Sequence, residues 1–169
     1  QLPFLMPFVG IHNISVSDGR LYLDDRLAKR EHVATGLSFR ISDFSFSRET
    51  PFNVSFMTLH KMDGGSIIAA VQARGNALLS GDAAKSALRN VAMTVTANGK
   101  KFDALVNIEG FQNPGFRLEL RAPELSNSDA EAFFSAAGKW KTPPMTLLAQ
   151  GRWEGGNLYI ERAGAKSGL

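Results

Sequence analysis

The chain has no cysteine in its 169 residues, so it can form no disulfide and offers no thiolate to a metal or to a covalent mechanism. It also has no apolar run approaching the roughly 20 residues that a membrane-crossing helix needs. The stretch from Leu2 to Val9 is apolar, but it is short and interrupted by Pro3 and Pro7, which argues against both a span and a signal-peptide core. Charge of one sign is not concentrated: 19 Lys and Arg stand against 16 Asp and Glu, a formal net charge of +3. The basic clusters at Arg26, Lys29 and Arg30 and at Lys139 and Lys141 are broken by apolar or acidic residues. A nucleic-acid surface would need a denser stripe to displace counterions, so no nucleic acid is expected as a partner. Tyr and Trp are scarce, with two of each against twelve Phe. Most of the aromatic surface therefore carries no polar handle and favours dry surroundings.

Hydrophobic residues make up 44% and charged residues 21%, a composition that folds. Residues 1–169 read as a single β-rich domain. The first residue is Gln1 rather than Met, from which we expect a segment of a longer chain.

Alternation with period two runs through most of the sequence. His12 to Val16 and Arg20 to Asp25 read as two short strands joined by a turn at Ser17-Asp18-Gly19. Leu37, Phe39 and Ile41 alternate with polar residues, and after Asp43 the apolar phase moves to Phe44 and Phe46, as a bulge would produce. Phe52, Val54 and Phe56 alternate before the phase moves again to Met57 and Leu59. Two such slips predict a sheet bent by bulges. Met62 to Gly65 marks a turn, and Ile67 to Leu79 reads as a strand interrupted near Gly75-Asn76. From Asn90 onward Val91, Met93 and Val95, the Asn98-Gly99 turn, then Phe102, Ala104, Val106 and Ile108, and after Asn113-Pro114-Gly115 the run Phe116, Leu118, Leu120 and Ala122 predict an antiparallel meander. Met145 to Trp153, a turn at Gly155-Gly156, and Asn157 to Arg162 complete it.

One segment breaks the period. Ser128 followed by Glu131 forms a capping box, Ala130, Phe133, Phe134 and Ala137 recur at helical spacing, and Gly138 supplies a left-handed cap. The expected fold is therefore mainly β, a curled and partly open antiparallel meander, with one short α-helix over about 127–138 plugging an end of the sheet. A weaker helical spacing also appears at Ala83 to Leu88.

Chemistry-bearing patterns are sparse. His12, His32 and His60 are far apart in sequence and form no i, i+4 ligand pair. Asp18, Asp24 and Asp25 lie close together, but without the alternating oxygen ligands of a calcium loop. No Gly-x-Ser-x-Gly is present, and Gly64, Gly65, Gly75 and Gly81 do not make a phosphate-cradling loop ahead of a helix. Asp103, Glu109, Glu119 and Glu124 fall on neighbouring predicted strands and are the carboxylates available for acid and base work. Asp103 and Glu119 occupy polar positions of the alternation, as a solvent face requires. The expectation is a non-enzyme with no cofactor and no metal.

The phrase from Ile11 to Asp25, the strand from Leu37 to Phe46, the run from Phe116 to Leu125 and the later Gly151 to Leu158 together resemble the periplasmic part of the AsmA-like family of Gram-negative envelope proteins, which includes TamB and YhdP relatives. The resemblance covers most of the chain and rests on turn and strand phrases. It implies a periplasmic β-rich module, anchored to the inner membrane by a segment outside this chain. It further implies a role in phospholipid transport or outer-membrane assembly through an apolar groove, with phospholipid or another acyl chain as ligand and neighbouring repeats as partners. The family supplies no catalytic residues. Candidate groove residues are those of the alternating apolar face: Leu37, Phe39, Ile41, Val91, Met93, Val95, Phe102, Val106, Phe116, Leu118 and Leu120. The same alternation also fits a closed core, which would make the domain a structural or interaction module of a larger envelope protein.

Overall fold

A computed structural model describes residues 13–25, 30–46, 48–62, 65–129 and 142–168. Nine strands form one antiparallel sheet in chain order: β1 Asn13–Asp25, β2 Arg30–Ser42, β3 Glu49–Met62, β4 Gly65–Leu78, β5 Ala87–Ala97, β6 Lys100–Glu109, β7 Gly115–Ala122, β8 Met145–Glu154 and β9 Asn157–Ser167. Each strand pairs with its neighbour in sequence, so the expected meander extends over the whole sheet. β1 and β9 are its two edges.

The tight turns follow from backbone chemistry. Asn98 and Gly99, with φ of 47° and 79°, join β5 to β6, and Gly155 and Gly156, at 58° and 81°, join β8 to β9. Positive φ at both central positions matches the twist of the flanking strands, and Asn and Gly tolerate it best. Asp18 also has positive φ, at 55°, but Gly19 does not. A single left-handed residue shifts register without reversing the chain. The expected hairpin at Ser17-Asp18-Gly19 is therefore an irregularity inside one continuous strand, with register shifts between Val16 and Leu21.

Other expected breaks move in the same way. The phase slip at Asp43 marks the end of β2 rather than a bulge: Asp43, at φ 53°, opens the connection to β3, and Phe44 folds back onto the core. β3 continues through Met57 and Leu59 and pairs with β4 over fourteen positions without a shift, but its register with β2 does shift at the expected slip, opposite Phe56. Gly75 does not end β4, which runs through it, but the register with β5 shifts there, between Arg74 and Asn76. Helical spacing at Ala83 to Leu88 resolves into a single 3-10 turn, Ala83–Lys85, ahead of β5.

Bulges are present, but in separate groups. Register shifts occur at five of the eight interfaces, whereas β3/β4, β6/β7 and β7/β8 have none. The shifts at β1/β2 and β2/β3 meet near Thr35–Ser38 and those at β4/β5 and β5/β6 near Arg89–Val91, but the unshifted β3/β4 pair separates the two groups, so they do not join into one crease. The sheet accordingly neither closes nor curls strongly, which corrects the expected curl.

Helix is nearly absent among the described residues. Residues 127–129 are helical, and the remainder of the expected segment lies outside the described residues. The N-terminal cap is two residues earlier than expected. Ser126 Oγ accepts from the Asp129 N–H at 3.3 Å, and Asp129 Oδ2 accepts from the Ser126 N–H at 2.7 Å. This reciprocal pair makes Ser126, not Ser128, the capping residue.

Candidate apolar binding face

Cross-strand partners project to the same face of a sheet, so the register assigns every residue a side. Ile14 pairs with Ile41 and Ile41 with Phe52. Phe39 pairs with Val54, Val54 with Ala73, Ala73 with Met93, Met93 with Ala104, Ala104 with Leu120 and Leu120 with Leu147. Val91 faces Val106 and then Leu118, while Val95 faces Phe102. All eleven candidate residues, from Leu37 to Leu120, thus share one face. Phe52, Val54, Phe56, Val71 and Leu147 join them on it. These five were visible as apolar positions, but only the register shows which side they take.

This face does not behave uniformly. Ile41, Phe52, Ala77 and Val91 are buried, at 9% exposure or less, and form a cluster at the end of β2 to β5. Phe39, Phe44, Val54, Leu79, Leu88 and Val106 pack around them. Phe44 and Leu79 come from the connections after β2 and β4, so the chain ends of the sheet supply the lid. The lid is fastened by buried Ser86, whose Oγ accepts from the Ser80 N–H at 3.1 Å, and by the Phe111 N–H donating to the Ala83 carbonyl at 2.7 Å. Here Ile41 and Val91, with Phe39 and Val106, serve as core. Away from this cluster Leu37, Met93, Val95, Phe102, Phe116, Leu118 and Leu120 are half-buried. Among the described residues no second layer of strands or helices covers them, because every strand belongs to the one sheet. At β9 the same face becomes exposed, with Leu158 and Ile160 open to solvent.

Two glycines make the face possible. A Cβ at Gly75 would stand 2.9 Å from the Val91 Cα, opposite the shift at which Asn90 takes φ 51°. Gly151 lies beneath the Phe116 ring and against the Tyr159 carbonyl, where β9 carries an extra residue. Both positions have a close backbone approach that a side chain would prevent.

The opposite face is polar and laced with ion pairs. Arg89 donates to both Glu109 oxygens, at 2.8 and 3.1 Å, and to Glu49 at 2.6 Å, tying β3, β5 and β6 together. Glu109 is held below the usual carboxylate range, chiefly by its hydrogen bonds from Arg89. Asp103 is lowered first by the Thr94 hydroxyl, which donates at 2.7 Å, and then by Lys101. Glu119 pairs with Arg121 at 3.0 Å. Asp103, Glu109 and Glu119 are thus each held by a cation or a donor, and the pKa values of Asp103 and Glu109 fall rather than rise. Asp18 sits in the β1 irregularity, and β1 and β2 pair Asp24 with Glu31 and Asp25 with Arg30. His12 lies outside the described residues, and the register sets His32 opposite His60 on β2 and β3. Among the described residues no three His, Cys, Asp or Glu side chains gather into a metal site, and no helix is long and apolar enough to cross a membrane.

Comparisons of the chain with protein-family models, with curated proteins and with solved structures each find no match.

Proposed function

We propose that this domain is a non-catalytic β-sheet module of a cell-envelope protein that shelters acyl chains on its apolar face. One observation carries the proposal: an apolar face runs across nine strands with no second layer over it among the described residues. Eight spacings of about 4.8 Å make the sheet roughly 40 Å wide, ample for an extended acyl chain. Each methylene removed from water against such a face gains about 0.8 kcal/mol, so a few contacts suffice for capture. Leu37, Met93, Val95, Phe102, Phe116, Leu118 and Leu120 are the proposed contacts, because they are neither locked in the core cluster nor turned to the polar side. The resemblance to AsmA-like proteins supports the same reading. It implies a periplasmic module of a Gram-negative envelope, on a chain anchored to the inner membrane, working in phospholipid transport or outer-membrane assembly.

Native mass spectrometry of gently purified protein tests this directly. Co-purified phospholipid that is lost in Leu118→Asp is the expected result, and a clean apo mass that accepts no added phospholipid contradicts it.

A second reading rests on the edges. All eleven residues of β9 are exposed, and its outer side pairs with no strand among the described residues. Such an edge suits strand addition by a neighbouring repeat, making the domain one unit of a longer sheet. A chain extended beyond Leu169 would then melt at higher temperature, and an unchanged melting temperature would count against it.

A further inference from the structure

The polar face carries a concavity that the apolar-face reading does not use. A trough of about 850 Å3 lies across β2 to β6 on the side opposite the core cluster. Two cross-strand rows traverse it. In one, Arg40 pairs with Asn53 and Asn53 with Arg74. In the other, Ser55 pairs with Gln72 and Gln72 with Thr94. Arg40 and Arg74 belong to strands separated by one strand, so their backbones stand two spacings apart, roughly 10 Å. That separation lets two long side chains reach one small anion from opposite sides, over the Asn53 amide.

The trough sets these arginines apart from Arg117 and Arg162, which also hold no carboxylate among the described residues and flank Gln150 across β7 to β9 on the same face. Arg89, Arg121 and Arg152 each hold a carboxylate, at 2.6 to 3.2 Å. Arg40 and Arg74 hold none among the described residues, although both line the trough. The acid at its border, Asp103, is already engaged by Thr94 at 2.7 Å and Lys101 at 3.2 Å. Two unneutralised guanidiniums are thus set over a row of amide and hydroxyl groups. A flat carboxylate is satisfied by one bidentate guanidinium, whereas a tetrahedral anion presents enough oxygens for two guanidiniums and the groups between them.

We propose that this trough binds a phosphate group, clamped by Arg40 and Arg74 and seated on Asn53 with Ser55 and Gln72 beside it. The phosphate belongs either to a soluble phosphate ester or to a phospholipid headgroup. The site lies on the face opposite the proposed acyl contacts, so it stands or falls independently of them.

The test follows the guanidinium Nε–H resonances of the full chain during titration with inorganic phosphate and with glycerol 3-phosphate, alongside flotation with phosphatidic acid vesicles. Saturable shifts at Arg40 and Arg74 are expected, with affinity falling about tenfold for each of Arg40→Gln and Arg74→Gln. Both side chains are exposed, so the variants should keep the parent melting temperature. Lys166→Gln, which removes a charge on the same face outside the trough, should leave the affinity unchanged. Shifts with the soluble phosphates and no vesicle capture assign a soluble ester. Vesicle capture that disappears in the double arginine variant assigns the headgroup. Absent shifts overturn the site when vesicle capture is also absent or survives the double variant, as does an equal loss in Lys166→Gln.

Discussion

Phe52→Ala is the substitution that most sharply separates the two faces of this sheet. Phe52 is 9% exposed and sits among Ile41, Ala77 and Val91 under the Phe44 and Leu79 lid. Removing its ring loses the transfer energy of the buried atoms and leaves a cavity that the lid can only partly fill. Fully enclosed Phe→Ala changes cost about 3–5 kcal/mol, and a cluster inside a single-layer sheet belongs at the lower end, about 3 kcal/mol. For a domain of this size that corresponds to a melting temperature lower by roughly 6–12 °C. Leu105→Ala supplies the comparison. Leu105 is on the polar face at 41% exposure, and its truncation should cost about 0.5 kcal/mol. Urea unfolding followed by far-UV circular dichroism measures both, provided the denaturant slope stays constant. Equal losses for the two variants, or a loss below about 1 kcal/mol for Phe52→Ala, would refute the placement of the core on the face that carries Ile41 and Val91.

Gly75→Ala should destabilise by about 1–3 kcal/mol, because its Cβ would meet the Val91 backbone at 2.9 Å. Gly115→Ala, whose nearest neighbour would be the Glu109 carbonyl at an ordinary 3.8 Å, should be neutral or slightly stabilising in the same thermal melts. Asp129 is lowered to about 2, first by the Ser126 hydroxyl, next by the Ser126 N–H, and then by Lys100. A carboxylate depressed in the folded state stabilises above its unfolded value of 3.8 and loses that contribution as pH falls toward about 2. Asp129→Asn should therefore flatten the acid limb of the stability profile in that window, and a carbon-detected titration placing the Asp129 midpoint near 3.8 would contradict this. Gly99→Ala, at φ +79°, should cost about 1–2 kcal/mol from left-handed strain alone, read as a shifted urea midpoint.

The strands were legible wherever alternation was regular, because a half-buried sheet imposes a period of two. Val91 to Val95, Phe102 to Ile108 and Phe116 to Ala122 fell where expected, as did the Asn98-Gly99 and Gly155-Gly156 turns. Asp18-Gly19 was misread because a turn and a bulge use the same residues, and only the φ of the second residue separates them. Asp43 was misread in the opposite sense, since a phase slip and a strand end look alike until the partner strand is known. Ser126 is hidden as a cap because Ser128 and Glu131 match the capping-box pattern more closely than Ser126 and Asp129 do. The apolar face was readable strand by strand. The polar trough was not, because Arg40, Asn53 and Arg74 meet only through the registers of β2, β3 and β4. No spacing in the chain announces that row.

The proposed acyl-binding face is tested most directly by its sidedness. Methyl-labelled leucines give a resonance for each face: Leu118, Leu120 and Leu147 on the apolar side, Leu105 and Leu148 on the polar side. Addition of a phospholipid carrying a nitroxide near the end of its acyl chain should broaden the first three and spare the last two. Equal broadening of both sets, or broadening confined to Leu105 and Leu148, would contradict acyl binding at this face.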